Sequence, residues 1–182
     1  MKKLRGFTLI ELMIVVVVLG VFAVIAMPGM RDFLDRQRLV AQSREIANVM
    51  QLARSEAIAH SASGDSEDKS IAVTISPSAP WFVGLANGTA ACSNTAPSTC
   101  TINQGGENVS HTVTASRCPS CTMVSPGTAQ VLVFDLRGLV TGGADQQITL
   151  QSPMGKQLSI MVSRLGRISA CTPNGLVGHP AC

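Results

Sequence analysis

From Phe7 to Met27 the chain reads FTLIELMIVVVVLGVFAVIAM, 21 residues that are apolar apart from Thr8, Gly20 and one carboxylate, Glu11. About 20 such residues span the hydrocarbon core of a bilayer as a helix, so a membrane-length element opens the chain. The residues before it are basic (Lys2, Lys3, Arg5) and end on Gly6. A secretory signal shares the basic start, but its apolar stretch is only about 7–15 residues long and a small-residue cleavage site follows it. No A-x-A site cleanly ends this run. Basic residues ahead of the span predict that the leader stays cytoplasmic and the rest is exported. Glu11 is the anomaly. A lone acid costs about 2.5–3.5 kcal/mol at mid-bilayer and less near the interface, and the span itself holds no partner for it.

The chain is 182 residues long. Once the helical region is set aside, roughly 120 residues remain, enough for one modest core and one domain. One Trp, no Tyr and an abundance of Ser, Thr, Ala and Gly suit a small β-rich exported domain rather than an enzyme with a deep pocket. The formal charge is +3, from 14 basic and 11 acidic side chains. Lys2, Lys3 and Arg5 account for that excess, and without them the balance is zero. A chain-wide basic field that would attract nucleic acid is therefore absent. The tail differs: no acid follows Asp145, while Lys156, Arg164 and Arg167 remain.

From Met30 to His60 there is no Pro or Gly, and Leu39, Ile46, Met50, Ala53 and Ala57 recur at helical spacing among Arg36, Arg38, Arg44, Glu45 and Glu56. The helix is expected to continue from the span, giving one element of about 50 residues and about 75–80 Å. Its first half anchors and its second half offers an apolar stripe to a globular domain. The segment HSASGDSEDKS breaks the pattern. Its Asp65, Glu67 and Asp68 lack the spacing of a calcium loop, so a solvated loop is expected. Short β-like stretches follow: SIAVTIS, PWFVGLA, HTVTAS, AQVLVFDLRG, QQITLQ and KQLSIMVSRLGRIS. Alternation at Ile71, Val73 and Ile75, with Gly, Pro, Asn and Ser between runs, predicts six or so antiparallel strands in one or two sheets packed on the helix. Residues 86–110 read as a long polar insertion held by Cys92 and Cys100, GLVTGGADQQ reads as a turn, and no internal repeat stands out.

The six cysteines, Cys92, Cys100, Cys118, Cys121, Cys171 and Cys182, all lie in the C-terminal half. An even number behind an export-type start reads as disulfides formed in an oxidising compartment. Fifteen pairings are formally open; nearest-neighbour pairing would close three local loops, with Cys171 and Cys182 pinning the C-terminal segment. Cys118-Pro-Ser-Cys121 has redox or zinc spacing, but a redox pair opens a helix in a βαβ unit and none is legible, while zinc needs two further ligands. His60, His111 and His179 are scattered, so no metal and no cofactor are expected. No G-x-S-x-G, P-loop or G-x-G-x-x-G occurs, and no enzymatic activity is expected. Asn87-Gly-Thr and Asn108-Val-Ser fit an N-glycosylation sequon only as bare spacing.

The stretch RGFTLIELMIVVVVLGVFAVIAMP resembles the class III signal of type IV prepilins and pseudopilins. That resemblance implies cleavage by a prepilin peptidase after Gly6 and methylation of the new amino terminus at Phe7. It also implies that Glu11 pairs with the N-terminal ammonium of a neighbouring subunit. Two poorly solvated charges lower each other's cost by pairing, which supplies on another chain the partner missing from the span. Pro28 matches the family's helix-kinking proline. LARSEAIAH, FDLRGLVTG and VSRLGRISAC further resemble three blocks of the FimT/FimU minor pilins and the related GspH pseudopilins. The implied fold is α+β and pilin-like: a long N-terminal helix, transmembrane then amphipathic, packed on an antiparallel β-rich head. Its divisions are a leader over 1–6, a helix over 7–60 with its anchor at 7–28, and a disulfide-containing head over 61–182. The implied role is a structural subunit near the tip or initiation complex of a type IV pilus, or an H-type pseudopilin of type II secretion. Its partners would be other pilins or pseudopilins and the prepilin peptidase. Its location would be the inner membrane, single-pass with a periplasmic head, and then the filament.

Some FimT-like pilins of naturally competent bacteria bind DNA through a C-terminal G-R-x-R motif. Here the corresponding stretch is Gly166-Arg167-Ile168-Ser169, with Ser169 in place of the second arginine. A few exposed cations suffice to hold a phosphate backbone without reading bases, so Lys156, Arg164 and Arg167 are the candidate DNA contacts. Arg164, three residues before Arg167, is the candidate to compensate for Ser169: on a strand the two would face opposite sides, whereas a mobile loop could bring them together. The bland alternative is a solvated basic surface. The processing expectation has a direct check: N-terminal mass spectrometry of membrane or filament fractions should find a chain beginning at methylated Phe7. Cleavage at residue 25 or beyond would identify an ordinary secretory signal instead.

Overall fold

Thr8 starts the helix. Its hydroxyl accepts the Glu11 backbone N–H at 3.3 Å and its carbonyl accepts that of Leu12 at 3.2 Å, so two donors of the first turn are satisfied. Thr8-Leu9-Ile10-Glu11 has capping-box spacing, and an acid in the first turn meets the positive end of the helix dipole. The Glu11 side chain thus sits in the first turn, where a negative charge is favoured by the helix dipole. The helix, α1, runs over Leu9–Ala62.

The computed structural model describes residues 7–62, 70–141, 145–176 and 178–182. Gly6 and the rest of the leader lie outside them, as do Asp65, Glu67 and Asp68. The side chains of residues 25–28 are also outside, including that of Pro28, where the kink was expected. The chain divides into two compact units, Met1–Asp35 and Arg36–Cys182, and the second half of α1 falls in the same unit as the head.

In the first unit the large apolar side chains of α1 from Leu9 to Val24 are exposed, and so are Met30, Phe33 and Leu34. Among the described residues no single helix is long and apolar enough to cross a membrane; Leu9–Val24 and Gly29–His60 taken together have the length and composition.

In the second unit the helical stripe is fully buried: Leu39, Ile46, Met50, Ala53 and Ala57 are all 0% exposed. Eleven strands are assigned among the described residues: β1 (Ile71–Ser76), β2 (Phe82–Asn87), β3 (Thr101–Gln104), β4 (Glu107–Ser110), β5 (Thr112–Thr114), β6 (Thr122–Ser125), β7 (Gln130–Phe134), β8 (Val140–Thr141), β9 (Gln146–Gln151), β10 (Gln157–Val162) and β11 (Ile168–Cys171). They form three antiparallel sheets, ordered β5-β2-β1-β7-β8, β11-β10-β9-β6 and β3-β4. One cluster joins the stripe to Ile71, Val73, Ile75, Leu132 and Phe134 of the first sheet and to Ile148, Leu150, Leu158, Ile160 and Val162 of the second. The expected six strands in one or two sheets were too few. The run KQLSIMVSRLGRIS is two strands and a turn, and GLVTGGADQQ contains β8. The extra strands are short or polar, so apolar alternation does not mark them.

Residues 86–110 are likewise more than a loop. They carry the β3–β4 hairpin, and Ile102 contributes to the core. Gln104 donates to Glu56 of α1 at 2.9 Å, and His60 Nε2 lies 3.2 Å from the Asn103 carbonyl. The Cys92–Cys100 disulfide closes the preceding segment over the outer face of β1 and β2. There Cys92 N–H donates to Thr74 Oγ1 at 2.9 Å, and Phe82, Ala86 and both cysteines form a second apolar cluster. This explains Gly84 in mid-strand: a Cβ there would lie 2.7 Å from Cys92 Sγ and 2.8 Å from Cys100 Sγ. A buried polar residue on the helix ties down another loop. Gln42 donates to the Thr114 carbonyl at 3.0 Å and accepts from the N–H groups of Arg117 and Cys118 at 2.9 and 3.1 Å. Gly84→Ala should destabilise the protein by about 1–3 kcal/mol, because the disulfide must shift off the sheet. Thermal unfolding of the full chain in detergent, followed through Trp81 fluorescence, measures it; an unchanged midpoint would contradict the close approach.

Candidate functional site

Three turns in the C-terminal half share one construction. In Asp135-Leu136-Arg137-Gly138-Leu139 the first residue exchanges backbone bonds with the fourth and fifth, 2.8 Å for Gly138 N–H to the Asp135 carbonyl and 2.9 Å for Asp135 N–H to the Leu139 carbonyl. Ser152-Pro153-Met154-Gly155-Lys156 and Ser163-Arg164-Leu165-Gly166-Arg167 repeat both bonds. The glycines sit at φ 70°, 77° and 69°, the left-handed position that a three-residue hairpin loop with a bulge requires. The opening side chain caps each turn. Asp135 Oδ1 accepts from the N–H of Arg137 and Leu139, Ser152 Oγ from Lys156, and Ser163 Oγ from Arg167. This D/S-x-x-G-x unit is short enough to have passed unnoticed as a repeat.

For Asp135, desolvation pushes the pKa up but is outweighed. The N–H groups of Leu139 and Arg137 and the Arg137 guanidinium hold it below the usual carboxylate range. A folded-state pKa lowered in this way contributes stability above the ordinary aspartate value, lost as pH falls through the lowered one.

Two of these turns, one from each large sheet, close on α1. Val140 N–H donates to the Arg164 carbonyl at 3.0 Å, and Asp145 Oδ1 accepts from the Arg164 N–H at 3.1 Å. A Cβ on Gly166 would strike the Gly138 carbonyl oxygen and come within 2.8 Å of Arg54 Nε. A Cβ on Gly138 would lie 2.8 Å from Ile58 Cδ1 and 3.1 Å from Arg54 Nε. Arg54 is thus packed over two glycine turns that meet back to back. Its Nε is sealed from solvent and has no hydrogen-bond partner among the described residues. Beside it, a groove of about 390 Å³ runs between α1 and the 163–167 turn, lined by Arg54, Ser55, Ile58, Arg167 and Ile168 among others.

The structure separates the three candidate cations. Of the two arrangements the sequence left open for Arg164 and Arg167, the structure has the loop: both are exposed on one turn, and Arg167 joins the groove. Lys156 closes the turn at the other end of β10, about 20 Å away at strand rise. Arg54 was missed because nothing in a helical LARSEAIAH distinguishes it from a solvated arginine. The cysteines pair as Cys92–Cys100, Cys118–Cys121 and Cys171–Cys182. Trp81 Nε1–H donates to the Cys121 carbonyl at 2.9 Å, setting the second pair in the core. Among the described residues no group of three His, Cys, Asp or Glu side chains is placed to hold a metal ion.

Residues 1–27 match the prokaryotic N-terminal methylation motif. The chain is 43% identical over 47 residues to the type IV major alpha-pilin of Moraxella bovis, which is 26% of this chain and 30% of that protein. It is 42% identical over 55 residues to a fimbrial protein of Pseudomonas aeruginosa, 30% of this chain and 36% of that one. The chain therefore spans about a third of the length of the curated relatives it matches. Among solved structures, the type IV minor pilin FimU of Pseudomonas aeruginosa aligns with a TM-score of 0.48 at 16% identity, over 75% of this chain and 90% of that one.

Gly155 and Gly166 have the same backbone conformation, but Gly155 has nothing within 4 Å of its Cβ position. Gly155→Ala should therefore cost about 1–2 kcal/mol, the left-handed penalty alone. Gly166→Ala should cost a further 1–3 kcal/mol, roughly, from the clash. Thermal unfolding of the two variants in detergent gives the difference; equal losses would contradict the packing of the two turns on Arg54.

Proposed function

We propose that this chain is a minor pilin, a structural subunit that enters a type IV pilus through α1. The observation that carries the reading is the methylation motif over residues 1–27, set at the start of a 54-residue helix. That helix leaves its apolar residues from Leu9 to Val24 uncovered. An exposed apolar stripe of that length needs lipid or other helices around it. A single-pass inner-membrane form with a periplasmic head, followed by a helical filament core, supplies both in turn. Prepilin peptidase would cut after Gly6, and the new ammonium on Phe7 would meet Glu11 of the next subunit. The named relatives are pilins and fimbrial proteins, which favours a pilus over a type II secretion pseudopilus. The minor rather than major assignment rests on LARSEAIAH, FDLRGLVTG and VSRLGRISAC. Those blocks converge in space, because Arg54, Gly138 and Gly166 are their points of contact. Placement near the tip or in an initiation complex follows from the same resemblance.

DNA uptake is the second reading. It is supported by Arg164 and Arg167, both exposed on one turn, and weighed against by the distance of Lys156 and by the balanced charge of the exported part. Two phosphate contacts would give a slope of log affinity against log salt of only about −2.

Glu11 tests the assembly role. Glu11→Leu should insert into the membrane as well as the parent or better, yet fail to enter filaments. Glu11→Gln is the sharper variant: it keeps a capping-box side chain at the third helical position but carries no charge. Both should reduce the chain in sheared filaments about tenfold or more, as expected when a buried charge loses its partner. Normal incorporation of Glu11→Gln would contradict the intersubunit ion pair.

A further inference from the structure

The groove between α1 and the 163–167 turn has a chemistry that neither the anchor nor the sheet packing uses. Arg54 and Arg167 both line it, and among the described residues no carboxylate pairs with either. Other arginines of the head have found acids: Arg117 pairs with Glu45 at 3.1 Å and Arg137 with Asp135 at 3.2 Å. Arg54 Nε is sealed behind the two glycine turns, so an incoming oxygen would meet the outer guanidinium nitrogens. Two arginines lining one hollow match a carboxylate, which accepts guanidinium forks in pairs.

The surroundings are apolar as well as cationic. Ile58 is 43% exposed at the groove, Leu165 at the tip of the turn is 71% exposed, and Leu136 is exposed on the adjoining turn. Apolar anchors interleaved with arginines are the composition of a protein interface core. A nucleic-acid site would instead draw on a basic field, which this chain lacks outside its leader.

We propose that this groove is a docking site for an apolar segment of a neighbouring filament subunit, whose Asp or Glu side chain is held between Arg54 and Arg167. The proposal rests on the reading of the chain as a pilus subunit. Burial of the acid beside Ile58 and Leu165 would exclude water from the pair and set the register of one head against the next.

The test uses the full chain in cells, with a photo-crosslinking amino acid at Leu165 and sheared filaments as the sample. The expected crosslink joins Leu165 to a filament subunit within a segment containing Asp or Glu. Arg167→Glu should lower both that crosslink and incorporation about tenfold or more, with the variant still accumulating in the membrane without free thiols. Replacing the mapped acid by Arg should restore both. Should Arg167→Glu fail to accumulate, Arg167→Gln tests the same pair with a neutral side chain. A crosslink to a segment without an acid, a crosslink to nucleic acid, or unchanged incorporation of the accumulating variant would overturn this proposal alone. Absence of the unsubstituted chain from filaments would overturn the assembly reading and the proposal with it.

Discussion

The stripe Leu39, Ile46, Met50, Ala53 and Ala57 is the contact on which the head depends. Two antiparallel sheets bury their inner faces against it, and neither could cover its apolar side chains without the helix. Small residues at 53 and 57 admit the sheets closely at the end of α1 where their turns also meet. Apolar burial is non-directional, so it does not by itself fix the register of sheets on helix. Polar contacts supply that. Gln42 holds the 114–118 loop at one end of the stripe, and Arg54 lies over Gly138 and Gly166 toward the other.

The same helix then sets the functional problem. Its second half buries Leu39, Ile46, Met50, Ala53 and Ala57 inside the chain, while among the described side chains of its first half the large apolar ones from Leu9 to Val24 are exposed. Thr8 and Glu11 begin the element cleanly, so the exposed stretch is a well-formed helix awaiting partners rather than a frayed end. On the proposed reading a membrane would cover such a surface before assembly and other helices after, with Glu11 a cost in the first environment and a contact in the second.

Much of this was legible in the residue order, because long periodic segments announce themselves. The expected helix of 7–60 compares with Leu9–Ala62, and each stripe residue named from spacing is buried. The longer strands with β-branched alternation were legible for the same reason. TINQ, ENVS and the two-residue Val140–Thr141 were not, since such strands exist only through their partners. Gln42 and Arg54 also escaped. Their partners lie 72 to 112 residues away in the chain, and a buried Gln and a half-buried Arg look like surface residues on a helical wheel. Spacing left fifteen cysteine pairings open, and folding brings nearest neighbours together. The cationic tail read as one constellation, but a six-residue strand divides it.

The central claim is that the first half of α1 is buried by other chains in a filament, and thiol accessibility measures it directly. The six native cysteines are bonded in pairs, so a cysteine introduced at Val17 is the sole reactive thiol. Asn48, exposed on the head's side of the helix, provides the control site. In intact filaments Val17→Cys should resist a charged, water-soluble maleimide while Asn48→Cys reacts, and Val17→Cys should become reactive once the filaments are dissociated. Equal labelling of the two positions in intact filaments would contradict the account.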